Sequence, residues 1–474
     1  MVNVVENPTI KWCSVTLSDV IDRGKRLEAS VFDVEAKQAR EKILQNKYSY
    51  SNLGENDGLI KKAYYPGRFK RIYCKKGFGV GFYLPSQMTD IYPKAEKYIS
   101  RLTKCDIKEL KLKEKTLLLT RSGTIGTVSL VSKTIEGFVF SDDVIRVTFD
   151  KEYDLGYVYT FLRSNIGNLV LTTNGYGSVI THLEPEHLAS IPIPNAPEEI
   201  KKRIHDLIMR SYELRDESNA LLDEAEQILI DELKLPPIEE MRDTHDTVET
   251  FSVKLSELNK RADASYHVPV VKAIVKHLKE HAGELTTIGD ERISKQVILP
   301  GRFKRVYVEE GYGRVFIGGK QLGELDPTNK KYLSLAQHSG RIEEQLALHE
   351  NMTLITCSGT IGKVTLVGKH WENWAANQHI IRVVPASKEM AGYISVFLSS
   401  EYGYHLITRY TYGSVVDEID DNHVRDIAFP LLKDKHKQAQ INALALEAND
   451  KRYQAYCLEQ EALKIMDEEV IYCK

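Results

Sequence analysis

One design is written twice in this chain. Pro66-Gly67-Arg68-Phe69-Lys70-Arg71-Ile72-Tyr73 returns as Pro300-Gly301-Arg302-Phe303-Lys304-Arg305-Val306-Tyr307. Thr120-Arg121-Ser122-Gly123-Thr124-Ile125-Gly126 returns as Thr356-Cys357-Ser358-Gly359-Thr360-Ile361-Gly362. The offset drifts only from 234 (Pro66 to Pro300) to 236 (Thr120 to Thr356). Two copies at so long a period are too few and too large for a solenoid, and they predict two domains of one plan in tandem. A chain of 474 residues exceeds what one core supports, so each copy is expected to bury its own. Two similar surfaces suit a partner with two similar sites.

Composition narrows the class. With 42% hydrophobic and 28% charged residues and no run near the apolar length of a bilayer span, a soluble protein is expected. The opening Met1 to Pro8 lacks the basic-then-apolar order of a secretory signal, so a cytoplasmic protein is expected. Cys13, Cys74, Cys105, Cys357, Cys457 and Cys473 are scattered, with no C-x-x-C pair and no histidines at zinc spacing. Reduced thiols are therefore expected, and neither disulfides nor a metal site.

A net charge of -3 conceals two surfaces of opposite sign. From Leu59 to Lys76 there are seven cations (Lys61, Lys62, Arg68, Lys70, Arg71, Lys75, Lys76) and no carboxylate. From Glu213 to Glu249 thirteen carboxylates face only Arg215, Lys234 and Arg242 as Lys or Arg. The basic stretch suits phosphate, whereas the acidic one suits basic protein partners or solvent.

Each copy reads as a glycine-punctuated, strand-rich unit followed by a long helix. Leu117 to Thr120 and Val128 to Val131 flank the Ser-Gly-Thr-Ile-Gly turn as strands, and Leu354 to Thr356 with Val364 to Val367 repeat the plan. Val144 to Val147 and Ile380 to Val383 supply another pair of strands; Tyr157 to Arg163 and Tyr393 to Leu398 read as helices, followed by loops that end in Gly177-Ser178 and Gly413-Ser414. Ile191-Pro192-Ile193-Pro194 and Ala428-Phe429-Pro430 close the globular parts. Beyond them the apolar period becomes 3.5: Ile204, Leu207, Ser211, Leu214, Ser218, Leu221, Ala225, Ile228 in the first copy and Ile441, Leu444, Ala448, Lys451, Ala455, Leu458, Ala462, Ile465 in the second. One heptad position carries Ser or Ala and the other mostly Leu or Ile, so the two helices can pair closely, large side chain over small. Because a globular domain intervenes, an antiparallel pair about a pseudo-twofold axis is the simplest closure. The first helix would run on the order of 55 Å at ~1.5 Å per residue, and Pro236-Pro237 stops it. Phe251 to Leu255 is expected to open the second domain as a strand echoing Cys13 to Leu17. The domain plan is 1–196, a first globular domain; 197–236, a spacer helix; 237–250, a linker; 251–432, a second globular domain; and 433–474, a second spacer helix.

The basic turn is the leading candidate for a binding site. On a strand Arg68 and Lys70 would share one face and Arg71 the other, so a turn is needed for all three to reach one partner. Phosphate contact or groove readout by Arg is the functional reading, a solvated basic face the bland one, and recurrence as Arg302, Lys304 and Arg305 favours the former. In Ser-Gly-Thr-Ile-Gly, glycine permits a tight turn and a close ligand approach. Ser122, Thr124, Ser358 and Thr360 with the turn amides suit phosphate oxygens, and a plain strand-to-strand turn fits equally. Arg121 stands against Cys357 and Thr127 against Lys363, differences inside one frame that two readers of different base sequences require. Catalytic readings lack parts: there is no G-x-x-x-x-G-K-[ST], no G-x-S-x-G and no H-E-x-x-H. Phe78-Gly79-Val80-Gly81 matches a methyl-donor loop poorly, and no Asn-Pro-Pro-Tyr or Asp-Pro-Pro-Tyr accompanies it. His182, His187, His379 and His423 show no repeated partner arrangement and read as structural or surface residues. The chain reads as one that binds without performing chemistry.

The order of globular domain, helix, globular domain, helix resembles the DNA specificity subunit of type I restriction-modification systems, over nearly the whole chain. The carriers are Arg26-Leu27-Glu28-Ala29-Ser30 and Arg261-Ala262-Asp263-Ala264-Ser265 near each domain start, Ser122 to Gly126 and Ser358 to Gly362, and the proline-rich exits. The family's Glu-Gln pair after the exit is replaced by Glu198-Glu199-Ile200 and Lys437-Gln438-Ala439-Gln440. The resemblance implies an α/β protein of two target recognition domains, each reading half of a bipartite double-stranded DNA site. Two long helices packed as an antiparallel coiled coil would set the gap and dock two methyltransferase subunits. S-adenosylmethionine, ATP and Mg would then reside on methyltransferase and restriction partners, with no cofactor or metal in this chain. The expected DNA contacts are Arg68, Lys70, Arg71, Arg121, Ser122, Thr124, Arg302, Lys304, Arg305, Ser358, Thr360 and Lys363. The expected helix interface is Ile204, Leu207, Leu214, Leu221, Ile228, Ile441, Leu444, Leu458 and Ile465. Rival readings are a specificity subunit of a methylation-only or other phage-defence complex, a self-contained DNA-modifying enzyme, and a coiled-coil scaffold.

Overall fold

The computed structural model describes residues 14–22, 25–27, 29–54, 58–177, 181–241, 250–258 and 261–473. The chain divides into two compact units, Met1–Asp216 with Ala455–Lys474, and Glu217–Gln454. The division falls within both long helices, Glu198–Leu233 and Lys435–Ile465.

Strands of the first unit are β1 Tyr50–Asn52, β2 Ile60–Tyr64, β3 Tyr73–Cys74, β4 Gly79–Tyr83, β5 Lys97–Ser100, β6 Leu117–Thr120, β7 Val128–Leu130, β8 Val139–Phe140, β9 Val144–Phe149 and β10 Pro192–Pro194. Those of the second are β11 Glu284–Thr287, β12 Ser294–Ile298, β13 Tyr307–Val308, β14 Gly313–Ile317, β15 Lys331–Ser334, β16 Thr353–Thr356, β17 Val364–Leu366, β18 Ala375–Ala376, β19 Ile380–Pro385 and β20 Ala428–Leu431. In the first unit they form the sheets β2-β9-β6-β7 and β3-β5-β4-β8 and the pair β1-β10. The second unit repeats this topology as β12-β19-β16-β17, β13-β15-β14-β18 and β11-β20. The duplication read from the sequence is thus a duplication of fold, and the fold is α/β. The proline-rich exits are edge strands, since Tyr50 to Asn52 pair with Pro194 to Pro192 and Glu284 to Thr287 with Leu431 to Ala428; proline is tolerated there because an edge strand leaves one row of N–H groups unused. One expectation fails. Leu17–Asp22 is a short helix and Leu255–Glu257 a single 3₁₀ turn, not strands, and Cys13 lies outside the described residues. Asp19 accepts the Thr16 N–H at 2.9 Å, which favours a helix start over an extended chain.

Apolar residues of the first sheet pack on helices Glu152–Arg163 and Asn165–Thr173 to make the main core of the first unit, to which Ile204, Ile208, Tyr212, Ala462, Ile465 and Met466 belong. Leu229, Leu233, Ile441 and Ala445 join the corresponding core of the second. Buried arginines link the two sheets of each unit. Arg146 in β9 donates to the carbonyls of Val144 (2.7 Å), Leu110 (3.2 Å) and Phe140 (3.3 Å), and Arg382 in β19 to those of Ile380 (2.5 Å), Leu346 (3.2 Å) and Ala376. Burial lowers their pKa to about 10 and about 9, so both stay cationic at neutral pH, held by carbonyl dipoles.

Helix segments pair within each unit. In the first, Arg203 pairs with Glu469 at 2.9 Å and Arg215 with Glu459, so 198–216 and 455–471 run antiparallel, and Ser211 Oγ donates to the Ala455 carbonyl at 2.9 Å. In the second, Lys451 pairs with Glu217 at 2.7 Å and Arg452 donates to Ser218 Oγ at 3.1 Å. The small heptad residues Ser211, Ser218, Ala225, Ala448, Ala455 and Ala462 are buried, as are Ile204, Leu214, Ile441 and Ile465, whereas Leu207, Leu221, Ile228, Leu444 and Leu458 are only half-buried. Close approach at the small positions pushes the larger side chains to the flanks. Lys234 at φ 51 and the Leu235 N–H to Ile230 carbonyl bond of 2.9 Å end the first helix before Pro236, the left-handed closure that frees the chain to turn. The expected linker 237–250 lies largely outside the described residues.

The heptad pattern gave no sign of a buried charge cluster. Glu459, 1% exposed, accepts from Tyr159 Oη at 2.6 Å and pairs with Arg163 at 3.3 Å and with Arg215. Burial raises its carboxyl pKa, but the two guanidiniums outweigh this and hold it below its ordinary value of 4.5. A depressed carboxylate stabilises the fold above its unfolded pKa, and that contribution is lost as pH falls through the folded value. Replacing Glu459 by Ala would leave two buried cations facing each other, and the expected loss is about 3–5 kcal/mol. Urea unfolding of Glu459→Ala and Glu459→Gln against wild type at neutral pH measures it, and the Gln difference should narrow in acid.

Candidate nucleic-acid interface

Residues 65–72 cross from β2 in one sheet to β3 in the other as an irregular turn, as the three-cation argument required. An aromatic anchors it. Phe69 meets Phe82 edge to face at 6.3 Å, and Phe303 meets Phe316 at 6.3 Å in the second copy. Apolar burial of the ring fixes the turn, and the flanking Arg68 and Lys70 stay exposed with no ion pair or hydrogen bond among the described residues. Lys304 is likewise exposed and unpaired among the described residues. Arg302 pairs with Glu418 at 3.2 Å, but its side chain is 80% exposed, so the pair is worth only ~0–1 kcal/mol and exchanges readily for phosphate.

Arg71 is placed differently. It lies over Phe82 at 5.4 Å and donates to Asp142 at 2.6 Å and Ser141 Oγ at 3.0 Å; Asp142 is buried, so this charge is spent inside the protein. Arg305 keeps the same stacking over Phe316 at 5.7 Å but donates to the neutral Gln378 at 2.7 Å, so its charge is not cancelled there.

The Ser-Gly-Thr-Ile-Gly turn is locked from below by a threonine that the repeat contained but the motif reading passed over. Thr120 Oγ1 donates to the Thr124 carbonyl at 2.7 Å and accepts the Thr127 N–H at 3.3 Å; Thr356 Oγ1 accepts the Lys363 N–H at 2.9 Å. Backbone bonds tie the turn to a second loop: Gly123 N–H to the Thr181 carbonyl at 3.0 Å and Gly359 N–H to the Asp417 carbonyl at 2.9 Å. Thr124 and Thr360 are exposed, Ser122, Ser358 and Lys363 half-buried. Ser122 Oγ lies 2.9 Å from His182 Nδ1 and 3.3 Å from Asp143; if it donates to the carboxylate, the imidazole N–H supplies the other bond. Ser178 lies outside the described residues.

Arg121 is buried, not presented. It stacks over Tyr65 at 4.1 Å and pairs with Glu184 at 2.6 Å. Burial pushes the Glu184 carboxyl up, but hydrogen bonds from Tyr176 and Arg121 outweigh it and hold the group ionised. Its counterpart Cys357 is also buried, its thiol pushed up to about 12 by burial and so protonated.

The histidine reading needs correction. His187 Nδ1 accepts the Glu184 N–H at 3.1 Å and His423 Nδ1 accepts the Asp420 N–H at 3.2 Å, a repeated cap on the short helices Pro185–Ala189 and Asp421–Arg425. The domain-start arginines repeat too. Arg26 donates to the carbonyls of Asn174 (3.2 Å) and Gly175 (2.9 Å), and Arg261 to those of Tyr410 and Thr411 (both 3.2 Å), satisfying helix C-termini where cations are favoured. Glu28 of that motif lies outside the described residues.

Among the described residues no helix is long and apolar enough to cross a membrane, and no group of three or more His, Cys, Asp or Glu is placed to hold a metal ion. Cys74, Cys105, Cys357, Cys457 and Cys473 are free thiols; Cys13 lies outside the described residues.

A two-sheet domain that displays a basic turn beside a hydroxyl-bearing glycine turn, then feeds a long helix, is the arrangement in the first copy. Residues 10–227 match the family model described as the type I restriction modification DNA specificity domain, so the resemblance read from the sequence is met over that segment. Among solved structures, the S subunit of a type I restriction-modification system from M. genitalium is similar at 12% identity, covering 89% of this chain and 95% of its own, with a TM-score of 0.33. The HsdS subunit from Thermoanaerobacter tengcongensis is similar at 12% identity, covering 90% and 98%, with a TM-score of 0.28. No curated protein matches the sequence.

The two glycines of the turn are not equivalent. Gly123 (φ +82) and Gly126 (φ +88) both occupy the left-handed region, but a Cβ at Gly123 would meet open space and one at Gly126 would lie 2.4 Å from Thr172 Cγ2. Gly123→Ala is expected to cost about 1–2 kcal/mol from its backbone alone, and Gly126→Ala distinctly more. Urea midpoints of the two variants check the order.

Proposed function

We propose that this chain is the non-catalytic, sequence-reading subunit of a type I restriction-modification complex, its two recognition domains (1–196 and 251–432) each reading one half of a bipartite double-stranded DNA target. The long helices set the distance between half-sites and dock two methyltransferase subunits. Those partners would carry S-adenosylmethionine and extrude the target adenine, and restriction subunits would bring ATP and Mg. A cytoplasmic place goes with this reading. The observation that carries it is the recurrence, in both copies, of exposed cations on an aromatic-anchored turn between two sheets, with the family match over residues 10–227 in support.

Under this reading Arg68, Lys70, Arg302, Lys304 and Arg305 contact phosphates, with Ser122, Thr124, Ser358 and Thr360 offering hydroxyls and turn amides, and Lys363 adding a charge where the first copy has Thr127. Arg71 and Arg121 serve as internal supports instead, since releasing either would strand a buried or half-buried carboxylate. The double variant Arg68→Ala/Lys70→Ala should weaken duplex binding at every salt concentration and reduce the slope of log K against log salt by roughly 2, about 0.9 per lost phosphate contact. Titration of duplex DNA at several salt concentrations measures it, and an unchanged slope would remove these residues from the interface.

A further inference from the structure

Among the described residues, each copy carries at an equivalent tip a large aromatic that stands mostly in solvent. Phe78 is 73% exposed and Tyr312 74%, each at the tip that precedes β4 or β14. The two tips are built alike: the Phe78 N–H closes a turn on the Lys75 carbonyl at 3.2 Å around Gly77 (φ +87), and the Tyr312 N–H closes one on the Glu309 carbonyl at 3.2 Å around Gly311 (φ +88). Neighbouring positions have diverged to opposite charge, Lys75-Lys76 against Glu309-Glu310, yet the aromatic remains. A side chain of this size costs free energy in water, and its retention at one exposed position in both copies marks a contact surface. Since the charges beside it inverted, the shared task of the tip is not to hold phosphate.

Strand direction places the tip beside the basic turn. Both β3 and β4 run antiparallel to β5, so they start at the same end of the sheet. At that end the Ser100 N–H donates to the Ile72 carbonyl at 2.8 Å, and Gly79 lies opposite Ser100. The second copy repeats this with Ser334, Val306 (2.9 Å) and Gly313. The end of the cationic turn and the aromatic tip therefore flank one residue, about two strand spacings or ~10 Å apart. That separation matches a groove wall and its floor, for the major groove is ~12 Å wide.

We infer that Phe78 and Tyr312 are groove contacts to duplex DNA, apolar side chains set against base edges while Arg68 and Lys70, or Arg302 and Lys304, hold the adjoining phosphates. The inference rests on the DNA-reading proposal above and adds to it the residue in each domain that touches bases. Apolar contact reads thymine methyls or an opened base step and releases no counterions. In the first copy the tip lysines add phosphate attraction. In the second, Glu309 and Glu310 suit cytosine amino groups and disfavour phosphate.

The test uses the full chain and a randomised pool of 40-base-pair duplexes from which wild type enriches its preferred sequence. Phe78→Ala should lower affinity for the enriched duplex by about tenfold, leave the salt slope unchanged, and relax base preference in one half of the selected motif. Tyr312→Ala should relax the other half, and Phe78→Tyr should restore binding. Because both side chains stand in solvent, an unchanged melting profile is expected and confirms intact folding. If Phe78→Ala and Tyr312→Ala keep full affinity and preference while Arg68→Ala/Lys70→Ala weakens binding, the tips are not base contacts and the DNA-reading proposal stands without them. If wild type enriches no duplex, both fall together.

Discussion

A guanidinium buried in the middle of a sheet strand is the interaction on which each domain depends. Arg146 and Arg382 occupy strand positions whose neighbours are fully apolar, and each is surrounded by carbonyl oxygens rather than a carboxylate. The desolvation penalty is large, so the charge is tolerable only with its acceptors fixed, and besides one carbonyl of its own strand those acceptors belong to the other sheet and its approach segment. The two sheets are thereby joined at one register. Just before that anchor in the chain sit Asp142 and Asp143, or Gln378 and His379, which hold the basic turn and border the glycine turn. A structural cation in the core thus positions exposed cations at the surface.

Around this anchor the residues separate into those that repeat and those that differ. Thr120 and Thr356, Phe69 and Phe303, His187 and His423, and Arg26 and Arg261 make the same bonds or packing in both copies and build the frame. Arg121 against Cys357, Asp142 against Gln378, Asp143 against His379 and His182 against Glu418 all differ, and all adjoin the two turns. The first copy places two carboxylates where the second has an amide and an imidazole, and the second places Glu418 where the first has His182, so a carboxylate meets a different cation in each turn, Arg71 in the first and Arg302 in the second. Under the proposed function, a shared frame with an altered rim would let one fold read two different half-sites.

The two units also close their helices differently. In the first, Glu459 draws Arg163, Arg215 and Tyr159 into a buried network, whereas in the second Arg452 donates to Ser218 and Asn219. Helix segments with similar Ser and Ala seams are chemically close to interchangeable, and a buried charge satisfied in one arrangement and stranded in another distinguishes them, as a polar residue does in coiled coils.

Duplication, the strands around each glycine turn, the long helices and the basic turns were legible in the residues, because local periodicity and turn chemistry settle them. Repetition told that Pro66 to Tyr73 mattered but could not tell that Arg71 faces inward to Asp142 while Arg68 and Lys70 face out. His187 and His423 stand 236 apart, the offset of the glycine turns, but the caps were missed because the backbone N–H each accepts is set by the fold. Val144 to Val147 read correctly as a strand, yet nothing in it announced that Arg146 would stay inside. The sequence by itself therefore determined the elements and their doubling, which depend on neighbours along the chain. Which charges are cancelled and which are offered to a partner was decided only by tertiary structure, because a cation's availability depends on acceptors that lie scores or even hundreds of residues away, as Asp142 does from Arg71 and Glu459 from Arg163.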